Sequence, residues 1–160
     1  IQSLIENDMS VHYTIITQDQ PSEEILYQLY DLSLKDHVTL TYIDNQEDVY
    51  LKMSASDCLL LPSTEEGIAN VVLEAMTIGL PVISSDGGGM REVIDHGQNG
   101  FLFRNRDVGH LKEMMEDVFN QDPVQRKTLI NRARKNIEKN HEFLKLGSEM
   151  KKLYRSIDFS

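Results

Sequence analysis

The sequence predicts an α/β protein: a doubly wound, Rossmann-like parallel sheet followed by C-terminal helices. Three observations predict it. Short apolar runs alternate with segments of helical period along most of the chain. The connections between them are short, as strand–helix–strand units require. The run Cys58–Leu61 is apolar throughout, the pattern of a strand buried on both faces of a parallel sheet. A length of 160 residues fits one domain with a real core.

The elements follow in order. Val11–Ile16 reads as a strand and Ser22–Leu34 as a helix, with Ser22 as N-cap and Glu23 and Glu24 in the first turn, where the helix dipole favours negative charge. Val38–Ile43 is a second strand and Gln46–Ala55 a second helix. After Cys58–Leu61 comes the helix Ile68–Ile78, stopped by Gly79, and Pro81 opens the strand Pro81–Ser84. A short helix near Met90–Asp95 and a strand at Phe101–Phe103 precede helices at Val108–Asn120, Val124–Asn140 and Glu142–Ile157.

Charge and composition exclude several classes. Sixteen basic against 26 acidic residues leave a net charge of −10, so a nucleic-acid partner is not expected. Residues 126–160 reverse the balance, with 10 basic and 4 acidic side chains. The longest apolar run is four residues, Cys58–Leu61, far short of the roughly 20 that span a bilayer. One cysteine, Cys58, rules out a disulfide framework, and its apolar neighbours mark it as a buried, inert thiol. A reducing, cytoplasmic setting is the simplest expectation. The chain starts at Ile1, which fits a piece of a longer protein. His12, His37, His96, His110 and His141 fall in no metal-ligand spacing, and no metal ion is expected.

The densest chemistry lies where Cys58–Leu61 hands over to the next helix. A turn carries Ser63, Thr64, Glu65, Glu66 and Gly67, and the helix then opens with N–H groups from Gly67 to Asn70 unpaired, an end that favours anions. Gly67 removes a side chain that would hold a phosphate or sugar at a distance. Glu66 sits at the helix mouth, where it would also serve simply as a first-turn acid. Glu74 sits among Val71, Val72, Leu73, Ala75 and Met76, so its carboxylate is expected to be partly buried and to need hydrogen-bond partners. At helical rise the two carboxylates would lie about 10–12 Å apart, too far for an acid–base pair and suited to two anchors on one extended ligand. Asn70 and Glu74 share a face.

The ordered set Pro62, Ser63, Glu66, Gly67, Glu74, Ala75, Met76, Gly79, Pro81, Val82, Ile83, then Gly88, Gly89, Glu92, Asn99 and Gly100, resembles the C-terminal domain of the retaining glycosyltransferases of GT-B fold called family 4 or group 1. The resemblance implies transfer of a sugar from a nucleoside-diphosphate sugar to an acceptor hydroxyl with retention of configuration. It implies that Glu74 binds the ribose hydroxyls, that Glu66 contacts the transferred sugar as the catalytic-site carboxylate, and that the backbone of Gly67, Ile68, Ala69 and Asn70 meets the sugar and diphosphate. It further implies a separate N-terminal domain, a carbohydrate or glycolipid acceptor, and diphosphate-binding cations on a first strand that would precede residue 1.

The chain departs from the family at Thr17, Gln18 and Asp19, where a Gly-x-Gly turn is usual, and at Tyr42, where Gly is usual; Tyr42 would either stack on the donor base or cover the sheet end. Without the family's first strand, Val11–Ile16 is expected to pair directly with Cys58–Leu61, or the slot to be filled by another copy. Asp86–Gly89 reads as a flexible loop bordering the donor site. The terminal helix, with Lys151, Lys152 and Arg155 on its face, is expected to pack on its own domain, a peripheral membrane contact being the alternative. A nucleotide-sugar epimerase and a non-catalytic nucleotide- or partner-binding domain are the competing functions.

Overall fold

The computed structural model describes residues 1–17 and 20–140. The chain divides into two compact units, Ile1–Ala55 and Ser56–Ser160. The helix expected at Glu142–Ile157, with Lys151, Lys152 and Arg155, lies outside the described residues, as do Gln18 and Asp19.

The first unit runs α1 (Gln2–Ile5), β1 (Tyr13–Thr17), α2 (Glu23–Asp31), β2 (Val38–Tyr42) and α3 (Gln46–Ser54). β1 and β2 are parallel, in register from Tyr13 opposite Val38 to Thr17 opposite Tyr42. Ser22 caps α2 by accepting from the Ile25 N–H, with Glu23 and Glu24 in the first turn. Asn45 caps α3: its Oδ1 accepts from the Asp48 N–H at 2.9 Å, and its Nδ2 donates to Asp48 Oδ2 at 2.8 Å. Two histidines act as strand ties. His37 Nδ1 meets the Val11 carbonyl at 3.3 Å, and His12 Nε2 meets Thr39 Oγ1 at 2.8 Å. The buried apolar residues are few: Leu4, Leu34, Val38, Ile43 and Met53. α2 buries no residue at all. The sequence offered no sign of α1, because a single turn is too short to display a helical period.

The second unit contains β3 (Leu59–Leu61), α4 (Asn70–Ile78), β4 (Val82–Ser85), a 3₁₀ helix (Gly88–Glu92), β5 (Phe101–Phe103), α5 (Val108–Phe119) and α6 (Pro123–Asn140). Its sheet is parallel, in the order β3-β4-β5. The middle strand β4 is buried at all four positions. Ile83, Phe101, Phe103, Met114, Val118 and Leu129 form the core, with Cys58, Leu60, Leu111 and Met115 packed against it.

α4 presents Val72, Ala75 and Met76 inward and packs against α6. It ends at Gly79, whose φ of 88° is left-handed. Arg134 of α6 reaches that end, donating from Nε to the Thr77 carbonyl at 3.2 Å and from Nη2 to the Ile78 carbonyl at 2.7 Å. A side chain at position 79 would collide with this guanidinium, Cβ standing 2.4 Å from Nη2. Pro123 occupies the first position of α6, and Asp122 Oδ1 accepts from the Val124 and Gln125 N–H groups at 2.8 and 2.9 Å.

Within each unit the strands are parallel, β1 with β2 and β3 with β4 and β5. One expectation is corrected: Cys58–Leu61 is not fully buried, for β3 is half-buried at every position, and so is Cys58. Partial burial still pushes the Cys58 thiol up, Arg126 opposing and Asp57 adding to the effect.

Candidate functional site

The site predicted from the sequence is the connection from β3 to α4. Residues 62–69 form an irregular loop, and the helix begins at Asn70 rather than at Ile68. Ala69 takes the N-cap position, and no side chain caps the helix. Alanine cannot supply the oxygen that Ser, Thr, Asp or Asn would offer, so the N-cap side chain holds none of the first N–H groups of α4, and that of Val72 turns back on the Ala69 carbonyl at 3.0 Å. Gly67 and Ile68 therefore belong to the loop, and Asn70 opens the helix.

Glu66 is exposed in that loop, and its Oε1 accepts from Ser63 Oγ–H at 2.8 Å. It precedes the helix by four positions and is no first-turn acid, which removes the purely helix-stabilising account of it. Glu74 lies in the second turn of α4 and is half-buried, as its apolar neighbours predicted. The 10–12 Å spacing does not transfer, because half of the path from Glu66 to Glu74 is not helical. A Cβ at Gly67 would touch nothing within 4 Å, so this glycine leaves the loop open rather than filling a packing constraint.

The loop is held by the segment after β4. Gly89 N–H donates to the Glu66 carbonyl at 2.9 Å. A Cβ on Gly87 would come 2.3 Å from the Thr64 carbonyl oxygen, and one on Gly88 would come 1.9 Å from that of Glu66. Gly88 also has φ +77°. Backbone thus lies on backbone, which only glycine permits. Asp86–Gly89 borders the loop of Glu66 as expected, but as a packed support and not as a free flap.

Asp86 anchors this support. Its Oδ1 accepts from the Asn105 N–H at 2.9 Å, and its Oδ2 meets Arg91 Nη2 at 2.5 Å. The Asn105 N–H is the main cause that holds the carboxyl below the ordinary range; partial burial opposes it and Arg91 adds to it. Asn105 also donates from Nδ2 to the Thr64 carbonyl at 2.7 Å. Ser85, buried in β4, donates from Oγ to the Ser63 carbonyl. Sequence reading missed Ser85 and Asn105 as part of the site, and took Asp86 only as part of a flexible loop. Nothing in a run such as Arg104–Asn105–Arg106 signals a partner 41 residues upstream.

Other candidates fall elsewhere. Tyr42 ends β2 in the first unit and is 60% exposed, so it covers little of the strand end. His96 and His110 are structural: each Nδ1 accepts a backbone N–H, from Leu102 at 3.1 Å and from Arg104 at 2.9 Å. Among the described residues no group of three His, Cys, Asp or Glu side chains is placed to hold a metal ion, and no helix is long and apolar enough to cross a membrane. Two open clefts of roughly 540 and 450 Å³ flank α6; neither is lined by Glu66 or Glu74. Chemistry, not concavity, marks the site here.

The parallel α/β fold agrees with what the chain is similar to. The family model "Glycosyl transferases group 1" matches residues 2–136, and the chain belongs to that family. It is 33% identical over 109 residues, 64% of its length, to the amylovoran biosynthesis glycosyltransferase AmsK of Erwinia amylovora. It is 29% identical over 133 residues, 83% of its length, to the N-acetyl-alpha-D-glucosaminyl L-malate synthase of Bacillus anthracis. The chain spans 27% and 34% of the length of these two relatives. Among solved structures it superposes on sucrose-phosphate synthase of Thermosynechococcus elongatus with TM-score 0.81, 25% identity, 89% of this chain and 37% of the other. It superposes on Anabaena HepE in complex with UDP with TM-score 0.83, 23% identity, 92% of this chain and 41% of the other.

Proposed function

We propose that this chain is the donor-binding, C-terminal domain of a retaining glycosyltransferase that moves a sugar from a nucleoside diphosphate to an acceptor hydroxyl. One bond breaks, between the anomeric carbon and the diphosphate oxygen. One forms, between that carbon and the acceptor oxygen, whose proton is lost, and configuration is kept. The observation that carries the reading is the exposed Glu66 loop opening onto an uncapped α4 that holds half-buried Glu74 one turn further in. Membership of the group 1 family supports it, as does the likeness, at 25% identity, to Anabaena HepE in complex with UDP-glucose.

In this reading Glu74 accepts from the vicinal ribose hydroxyls, since a carboxylate has two oxygens for two donors. The first N–H groups of α4 and the backbone of Gly67, Ile68, Ala69 and Asn70 face the diphosphate, where dipole and open N–H groups favour the charge that grows as the bond breaks. Glu66 contacts hydroxyls of the transferred sugar. The acceptor, a carbohydrate or glycolipid, and its site are assigned to a separate N-terminal domain, and no resident metal ion is assigned.

Calorimetry of the full-length protein with uridine, guanosine and adenosine diphosphates and their sugars tests this. Glu74→Ala is expected to weaken the nucleotide itself about 10- to 150-fold. Glu66→Ala is expected to weaken the nucleotide sugar more than the free nucleoside diphosphate. Affinities equal to wild type in both variants would sink the assignment, and a product of inverted anomeric configuration would remove its retaining half.

A further inference from the structure

Three carbonyls of the Glu66 loop are each held by a donor from outside it: Ser63 by Ser85 Oγ, Thr64 by Asn105 Nδ2 at 2.7 Å, and Glu66 by the Gly89 N–H at 2.9 Å. Ser85 ends β4, and Gly89 lies in the 3₁₀ helix that follows it. The third donor is a side chain from the turn between β5 and α5, and that turn is built with unusual care. Arg106 takes φ +61°, a left-handed conformation costly for a residue of its size. On its other side the turn is pinned by Arg104 N–H on His110 Nδ1 at 2.9 Å, and by Arg104 Nη2 on Asp107 Oδ2 at 2.9 Å. Asp86 fixes the backbone of Asn105 itself. Strain and three polar contacts thus converge on presenting one exposed amide to one backbone oxygen.

We infer that Asn105 is a positioning residue for Glu66: through the Thr64 carbonyl it sets where residues 63–67 lie, and Asp86 sets where Asn105 lies. The inference rests on reading Glu66 as the contact to the transferred sugar. Asn105 touches no substrate in this account; it acts only through the loop. The turn and the Gly87–Gly89 support close on the loop from two directions, so losing Asn105 frees Thr64 and its neighbours while leaving the Gly89 bond in place.

Hydrogen exchange and calorimetry on the full-length protein test it together, with Asn105→Ala, Asp86→Ala and Asp86→Asn. Asn105→Ala is expected to speed exchange of the amides of residues 63–67 by about 10-fold, with those of residues 72–78 and the melting temperature unmoved. Asp86→Ala is expected to speed the same amides and, having also lost the Arg91 pair, to melt lower, while Asp86→Asn, which keeps the acceptor oxygen, restores slow exchange. Affinity for whichever of UDP-glucose, GDP-mannose and ADP-glucose the wild type binds should fall about 5- to 10-fold in Asn105→Ala, and that for the matching free diphosphate less than about 2-fold. Unchanged exchange at 63–67, or faster exchange spread evenly through α4 and α5, overturns the inference. Equal loss for sugar and diphosphate overturns its link to Glu66. A wild type that binds none of the three sugars overturns the proposed function instead, and the exchange result still decides whether Asn105 holds the loop.

Discussion

The two units of this chain are both parallel α/β, yet they bury their elements very differently. In the first, a two-stranded sheet buries only Val38 of its ten residues, and α2 leaves Leu26 47% and Tyr30 68% exposed. In the second, β4 has a strand on each side and all four of its residues are buried, two of them serines. The apolar content of the strands does not explain the contrast, since Leu59–Leu61 is wholly apolar and only half-buried. Cover on the faces of the sheet does: β5 has one strand neighbour, yet Phe101 and Phe103 are buried in the core with Met114, Val118 and Leu129, and the unit that builds this core also holds Glu66 and Glu74.

The largest effect that could break this comparison is on stability. Met76→Ala, at a site 0% exposed, is expected to cost about 2–5 kcal/mol, whereas Leu26→Ala on α2 should stay within about 0.5 kcal/mol. Denaturant midpoints of the two variants decide it, and similar losses would show that the first unit is better packed than its exposure implies.

A finer test stays inside the second unit. Gly88 and Gly97 share nearly the same backbone angle, φ +77° and +74°, but a Cβ on Gly97 meets nothing within 4 Å while one on Gly88 strikes the Glu66 carbonyl. Gly97→Ala should therefore cost only the left-handed penalty, about 1 kcal/mol. Gly88→Ala should cost clearly more and, unlike Gly97→Ala, weaken nucleotide-sugar binding. Equal costs would mean that the close approach to the Glu66 loop is unimportant.

The smallest effect is in acid. Asp86 is held low first by the Asn105 N–H, and Asp107 first by the His110 N–H. A carboxyl lowered in the folded state stabilises in full above its unfolded value, about 3.9, and loses that contribution as the pH falls through its folded value. Melting temperature should thus not change with pH through these groups near neutrality and should fall below about pH 4, less steeply in Asp86→Asn. An identical acid limb in that variant would count against the Asp86–Asn105 contact.

The elements were legible where they carry local marks. Ser22, Gly79, Pro81 and the Phe101–Phe103 run placed their boundaries to within a residue or two, because caps, stops and strand runs are written in adjacent residues. The start of α4 was placed two residues early, since Ile68 and Ala69 continue the apolar pattern and Ala69 is an N-cap without a capping side chain. Glu66, Gly67 and Glu74 were singled out by their place at the strand-to-helix turn and by the resemblance of the ordered motif around them. Their support was not: Asn105 and Ser85 matter through contacts 22 to 41 residues distant, which no periodicity records, and Asp86 was read only as part of a flexible loop.

The clasp at the end of α4 carries a consequence for inheritance. A guanidinium at position 134 and a β-carbon at position 79 claim the same space, so the two residues amount to a single choice made 55 positions apart. A larger residue at position 79 must both displace the end of the arginine side chain and accept a φ of 88°, and the second cost remains if the arginine is lost. Substitutions at the two sites should then be non-additive only by the part that the displaced guanidinium contributes. The helix that carries Glu74 is held at its C-terminal end by α6 and not by its own sequence alone.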